Sequence, residues 1–146
     1  MKKMLRLLRR PPGEILLLIR AGMVLLVVRL GLALFPFRWF YGSHKRRPLG
    51  PPQPVFTAPQ VAAAVETAGR HLPGATCLVQ ALAGRHLLAR YGYASTLRLG
   101  VVRGREKSTL LAHAWLEWEG RVLLGGDVSD YRAFPAKTGN LETETF

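Results

Sequence analysis

From Ile15 to Phe37 the chain is apolar except for Arg20 and Arg29. This stretch constrains the fold most, because so many apolar residues need a cover of protein or of lipid. The run is long enough to cross a bilayer. Arg29 would then sit near the middle, at a cost of about 2.5–3.5 kcal/mol on insertion scales. The two arginines are nine residues apart, which puts them on opposite sides of a helix turning by about 100° per residue. They make no single polar face, so no simple amphipathic surface helix is predicted. A secretory signal also fits poorly. An arginine breaks the apolar core, and Leu34-Phe35-Pro36 is not a small-residue cleavage site. The run predicts a long helix or helical hairpin buried against protein, and membrane contact through residues 15–37 is the other arrangement.

The basic charge belongs to the same region. Residues 1–47 hold eleven Lys and Arg and one acid, Glu14, whereas the rest of the chain holds ten basic and eight acidic residues. A net charge of +12 therefore does not describe a basic folded domain. The positive run is interleaved with aliphatic side chains rather than stacking aromatics, which argues against a nucleic-acid partner. The single cysteine rules out an intrachain disulfide and suits a reducing cytoplasm.

Three parts follow. Residues 1–42 are basic and then apolar. Residues 43–58 carry a His44-Lys45-Arg46-Arg47 run and Pro48, Pro51, Pro52 and Pro54, a composition that reads as an extended linker. Residues 59–146 form the expected catalytic domain. Pro59 opens a helix to about Leu72, and Pro73-Gly74 ends it. A second helix runs from Cys77 to Tyr91, with Gly92 just past its end. Strands are expected near 97–102, over 109–118 and over 121–127, and a loose tail over 138–146. Two helices followed by a three-stranded meander make an α+β domain, with helices on a small antiparallel sheet.

Cys77 stands at a helix start behind Thr76, a good N-cap. Open N–H groups and the helix dipole favour an anion there, and the thiolate is the nucleophilic form of cysteine. By itself, a lone cysteine is more often a buried structural residue. His113 lies in Ala112-His113-Ala114-Trp115-Leu116-Glu117, where small neighbours leave room around the imidazole. Alternation puts His113, Trp115 and Glu117 on one face and Ala112, Ala114, Leu116 and Trp118 on the other. His44, His71 and His86 are less well placed, in the linker and on helices. A three-residue loop Glu119-Gly120-Arg121 would pair Trp118 with Val122 and, counting back, His113 with Asp127. Asp127 could then accept from the imidazole and fix its tautomer. A two-residue turn would shift that register, and Asp130 is the fallback. The expected catalytic set is Cys77, His113 and Asp127. One cysteine and scattered histidines make a poor zinc set, and the chemistry needs neither a metal nor an organic cofactor.

Cysteine on a helix N-terminus, histidine on one strand and aspartate on the next is the order of the transglutaminase-like (papain-like) cysteine enzymes. The blocks Cys77-Leu78-Val79-Gln80-Ala81-Leu82-Ala83, Leu87-Leu88-Ala89-Arg90-Tyr91-Gly92, Leu97-Arg98-Leu99-Gly100-Val101 and Ala112-His113-Ala114-Trp115-Leu116-Glu117 go further. Over residues 59–135 they resemble the B-type leader peptidases of lasso-peptide biosynthesis, the transglutaminase-like domain of microcin-processing proteins. Arg9-Arg10-Pro11 and the Leu-rich run ending Phe35-Pro36-Phe37-Arg38 resemble the front of stand-alone members. The resemblance implies a cysteine endopeptidase that cuts the leader from a ribosomal precursor peptide. It also implies a separate leader-recognition protein and a lasso cyclase as partners, which residues 1–42 could dock. A transamidase using the same triad, or a membrane-bound scaffold with an inert Cys77, are the alternatives.

Overall fold

The computed structural model describes residues 11–36, 55–106 and 108–134. Helix α1 spans Pro12–Leu34. It starts at a proline, whose missing N–H costs nothing in a first turn, and stops at an extended Phe35 ahead of Pro36. Helix α2 spans Ala58–His71. Thr57 and Gln60 cap it reciprocally, so it begins one residue before the expected Pro59. Helix α3 spans Cys77–Arg90, with the Thr76 hydroxyl accepting from the Val79 N–H. Of the proline-rich segment, residues 43–54 lie outside the described residues, as does the expected tail. Residues 55–57 form a turn and the α2 cap.

Strands β1 (Thr96–Arg103), β2 (Leu110–Trp118), β3 (Arg121–Leu124) and β4 (Arg132–Ala133) form one antiparallel sheet in the order β3-β2-β1-β4. Helices α2 and α3 pack on this small sheet, α3 chiefly against β2, and α1 packs against both α2 and α3. The core lies between the layers. Leu25, Val61, Val65, Leu88 and Leu116 are its largest fully buried side chains. Leu97 pairs with Leu116, and Leu99 with Ala114, on the face turned to this core.

The β2–β3 hairpin differs from the expected one. Its turn has two residues, Glu119 and Gly120, both at positive φ, as the right-handed twist of a tight hairpin favours. Trp118 therefore faces Arg121, and Glu117 faces Val122. Leu123 is then an extra residue, and Leu116 faces Leu124. This bulge puts Leu116 and Leu124 in the core together, 0% and 4% exposed. It also restores the register of a three-residue loop. However, the strand stops at Leu124 rather than at 127, because Gly125 (φ 121°) and Gly126 (φ 71°) leave the extended region. The short β4 was not foreseen. It pairs with β1 at Gly100 and Val101.

From Pro12 to Leu34 the long apolar run folds as one continuous helix, not a hairpin. Leu17, Ala21, Leu25 and Val28 form its inner stripe and join the same cluster as Val61, Leu88 and Leu116. The arginines do not enter this core. Arg20 donates to the Tyr91 hydroxyl at 3.0 Å. Arg29 rests on the turn before α3, where a Cβ on Gly74 would come within 2.7 Å of its Nε. By length and composition α1 could cross a membrane, yet one face is committed to the domain core.

That commitment is measurable. Leu25→Ala is expected to cost about 2–5 kcal/mol in urea unfolding, the range for emptying a leucine site in a core. Met23→Ala, on the outer face, should stay within about 0.5 kcal/mol.

Candidate active site

Cys77 is the first residue of α3 and is half-buried. Thr76 occupies the next donors, its hydroxyl taking the Val79 N–H and its carbonyl the Gln80 N–H. The N–H groups of Cys77 and Leu78 make no hydrogen bond among the described residues. Among the described residues these two are open donors at this helix end. Gln80 lies one turn on, on the side of α3 that carries Cys77. Its Nε2 donates to the Ala75 carbonyl at 3.0 Å, which ties the helix to the turn before Cys77.

By alternation His113 stands on the sheet face away from the helices, as Trp115 does. It nevertheless lines the same cavity as Cys77, because β3 ends at Leu124 and has no ladder pair with β2 at His113. The cavity holds about 220 Å³ and is lined by Cys77, Gln80, His113, Leu124 and the Gly125–Gly126 backbone, with Glu66 among them. Glu66 itself is paired with Arg70 at 2.6 Å.

The imidazole is held on several sides. His113 Nε2 lies 2.7 Å from the Gly125 carbonyl oxygen. A carbonyl only accepts, so Nε2 carries the proton, and in the neutral ring Nδ1 keeps the free lone pair. Tyr131 lies against the ring with centroids 4.9 Å apart, and Trp115 stacks at 6.2 Å. Trp115 is fixed in turn by its Nε1–H to Glu117 at 3.0 Å, and Arg98 bonds the same carboxylate at 3.2 Å. Gly125 has to be glycine twice over. Its φ is positive, and a Cβ there would fall 2.4 Å from Trp115 Cβ.

Asp127 lies in the exposed loop beyond β3. Its carboxylate accepts the Ser129 N–H at 3.0 Å. That backbone bond, and then the Ser129 hydroxyl, hold its pKa below the usual carboxylate value. Thus the structure brings Cys77 and His113 to one cavity, and it places Asp127 two residues beyond the carbonyl that holds the histidine. Asp130 lines a separate hollow of about 450 Å³ with Val101, Arg103 and Arg132. His71 bonds the Thr67 carbonyl on α2, His86 lines a hollow beside Arg20 and Tyr91, and His44 is outside the described residues. Sequence reasoning missed Gln80, Glu66 and Tyr131. Only Gln80 carried a signal, its three-residue spacing from Cys77.

The model of the transglutaminase-like superfamily matches residues 22–136, from within α1 to just past β4. No curated protein and no solved structure matches the chain.

Cys77 is the sole thiol, so alkylation reads the site directly. His113→Ala is expected to slow iodoacetamide labelling near neutral pH by about tenfold, since it removes the imidazole that shares the cavity with the thiol. Asp127→Asn keeps an oxygen for the Ser129 N–H and should label like wild type, whereas Asp127→Ala should label several-fold more slowly. If Asp127 instead acted by its charge on the imidazole, Asn would fail as badly as Ala. The lowered pKa of Asp127 sets the sign with pH: the charge-assisted form of the loop bond is present above the usual carboxylate range and weakens, as pH falls through the lowered value, to the neutral bond that Asn would also make.

Proposed function

Because the chain belongs to the transglutaminase-like superfamily, we propose that it is a cysteine peptidase that removes the leader from a ribosomally made lasso-peptide precursor. The observation that carries the catalytic part is the shared cavity of Cys77, at a helix N-terminus, and His113. The lasso-peptide part is supported by the sequence blocks around Cys77 and His113. In this reading Nδ1 of His113 takes the thiol proton, and the Cys77 thiolate attacks the scissile carbonyl. The oxyanion is stabilised by the open N–H groups of Cys77 and Leu78. The imidazolium then gives its proton to the leaving amine, and a thioester remains on Cys77. A water, deprotonated by His113, attacks the thioester and releases the leader as a carboxylate. The thiol is restored. The Gly125 carbonyl keeps the histidine in the required tautomer. Asp127 acts as the orienting residue through the loop it braces with Ser129.

The reaction needs no metal and no organic cofactor. A separate recognition protein would deliver the leader, and a cyclase would consume the freed core peptide. The lone thiol suits the cytoplasm. Transamidation would share every step up to the thioester and differ only in an amine replacing water.

The test is to incubate the protein with the precursor encoded beside its gene and with the recognition protein, and to weigh the products. Wild type is expected to cut one leader–core bond and leave a free carboxylate on the leader. Cys77→Ala should give no product, and His113→Ala should lose at least about a hundredfold in rate. A leader carrying an amine adduct would identify a transamidase. Intact precursor together with slow alkylation of Cys77 would mean that the thiol is structural.

A further inference from the structure

The outer face of α1 is apolar and bare. Leu16, Ile19, Met23, Val27, Leu30 and Leu34 are each between 48% and 76% exposed. At 100° per residue they fall within an arc of about 80°, opposite the inner stripe that fills the core. Arg20 and Arg29 lie on either side of this arc. Neither interrupts it, since one guanidinium is turned to Tyr91 and the other to Gly74. The helix therefore is amphipathic in an unusual sense: its polar side is replaced by the body of the protein.

Charge identifies the cover. Lys2, Lys3, Arg6, Arg9 and Arg10 precede the helix, and Arg38, Lys45, Arg46 and Arg47 follow it; Glu14 is the only acid in that span. An apolar stripe flanked in sequence by cations on both sides, with one acid among them, matches the chemistry of an anionic membrane surface. Acyl chains would meet the stripe, and phosphates would meet the arginines and lysines. A spanning arrangement does not fit, because it would pull Leu17, Ala21, Leu25 and Val28 out of the core. We propose that the outer face of α1 docks the protein on a bilayer carrying anionic headgroups, with the helix lying in the plane of the interface.

Flotation of the full chain with phosphatidylcholine vesicles, with and without phosphatidylglycerol, tests this. Wild type is expected to float with the anionic vesicles, at least about fivefold more than with neutral ones, and to release as salt is raised. Met23→Glu with Leu30→Glu should cut the bound fraction about tenfold without moving the thermal melt. Ile19→Ser with Val27→Ser serves if the acidic pair disturbs folding. Equal flotation of wild type and a folded double variant would overturn the proposal, as would no flotation of wild type. So would failure to float by a wild-type dimer that the double variant dissociates, because the face would then be an interface between copies.

Discussion

Leu17, Ala21, Leu25 and Val28 seat α1 against α2 and α3, and the rest of the domain is arranged around that seat. A chain this short has little interior to spare. Two helices of 14 residues each and a small sheet would leave the upper sides of α2 and α3 without a cover. With α1 in place, Leu25 and Leu88 are buried in one cluster with Leu116 across the sheet layer. Arg29 then lies over the Gly74 turn, so the element that closes the core also bounds the turn that leads into Cys77.

The site depends on a strand that stops early. Had β3 kept pairing with β2 as far as residue 127, the edge of β2 at His113 would be sealed by a ladder. Instead Gly125 and Gly126 turn away, the Gly125 carbonyl swings to the imidazole, and the cavity opens toward the N-terminus of α3. The close approach of Gly125 to Trp115 makes this break a built feature. The loop that follows returns Tyr131 to the ring of His113 and forms β4 on the far side of the sheet. One departure from regular structure thus exposes the histidine, fixes its tautomer and walls it in.

Local features were readable one residue at a time. Thr76 caps α3 because a hydroxyl at that position can take an N–H three residues on, and this requires nothing distant. Pro73-Gly74 and Gly92 end their helices for reasons that lie in their own backbones. Alternation sorted residues 112–118 onto two sheet faces, and packing decided that the face of Ala114 and Leu116 is the one turned to the core. The hairpin was harder. Counting residues required a turn length, the turn proved to be one residue shorter, and a bulge at Leu123 took up the difference. That bulge exists because Leu124 reaches the core only when it faces Leu116, a condition set by α3 and not by the hairpin's own sequence.

The sequence by itself determined the α+β class, the approximate limits of α2 and α3, and the candidates Cys77, His113 and Asp127. Each of these rests on short-range rules: caps, breakers, periodicity and residue chemistry. The tertiary structure decided that the apolar run is half core and half surface, because its two faces differ only in what packs against them. It also decided which group touches the histidine. A carbonyl from a broken strand lies at Nε2, and Asp127 lies two residues further on, bonded to Ser129. No count along the chain could yield that contact, since it depends on where β3 stops, and β3 stops where the closeness of Trp115 leaves no room for a side chain.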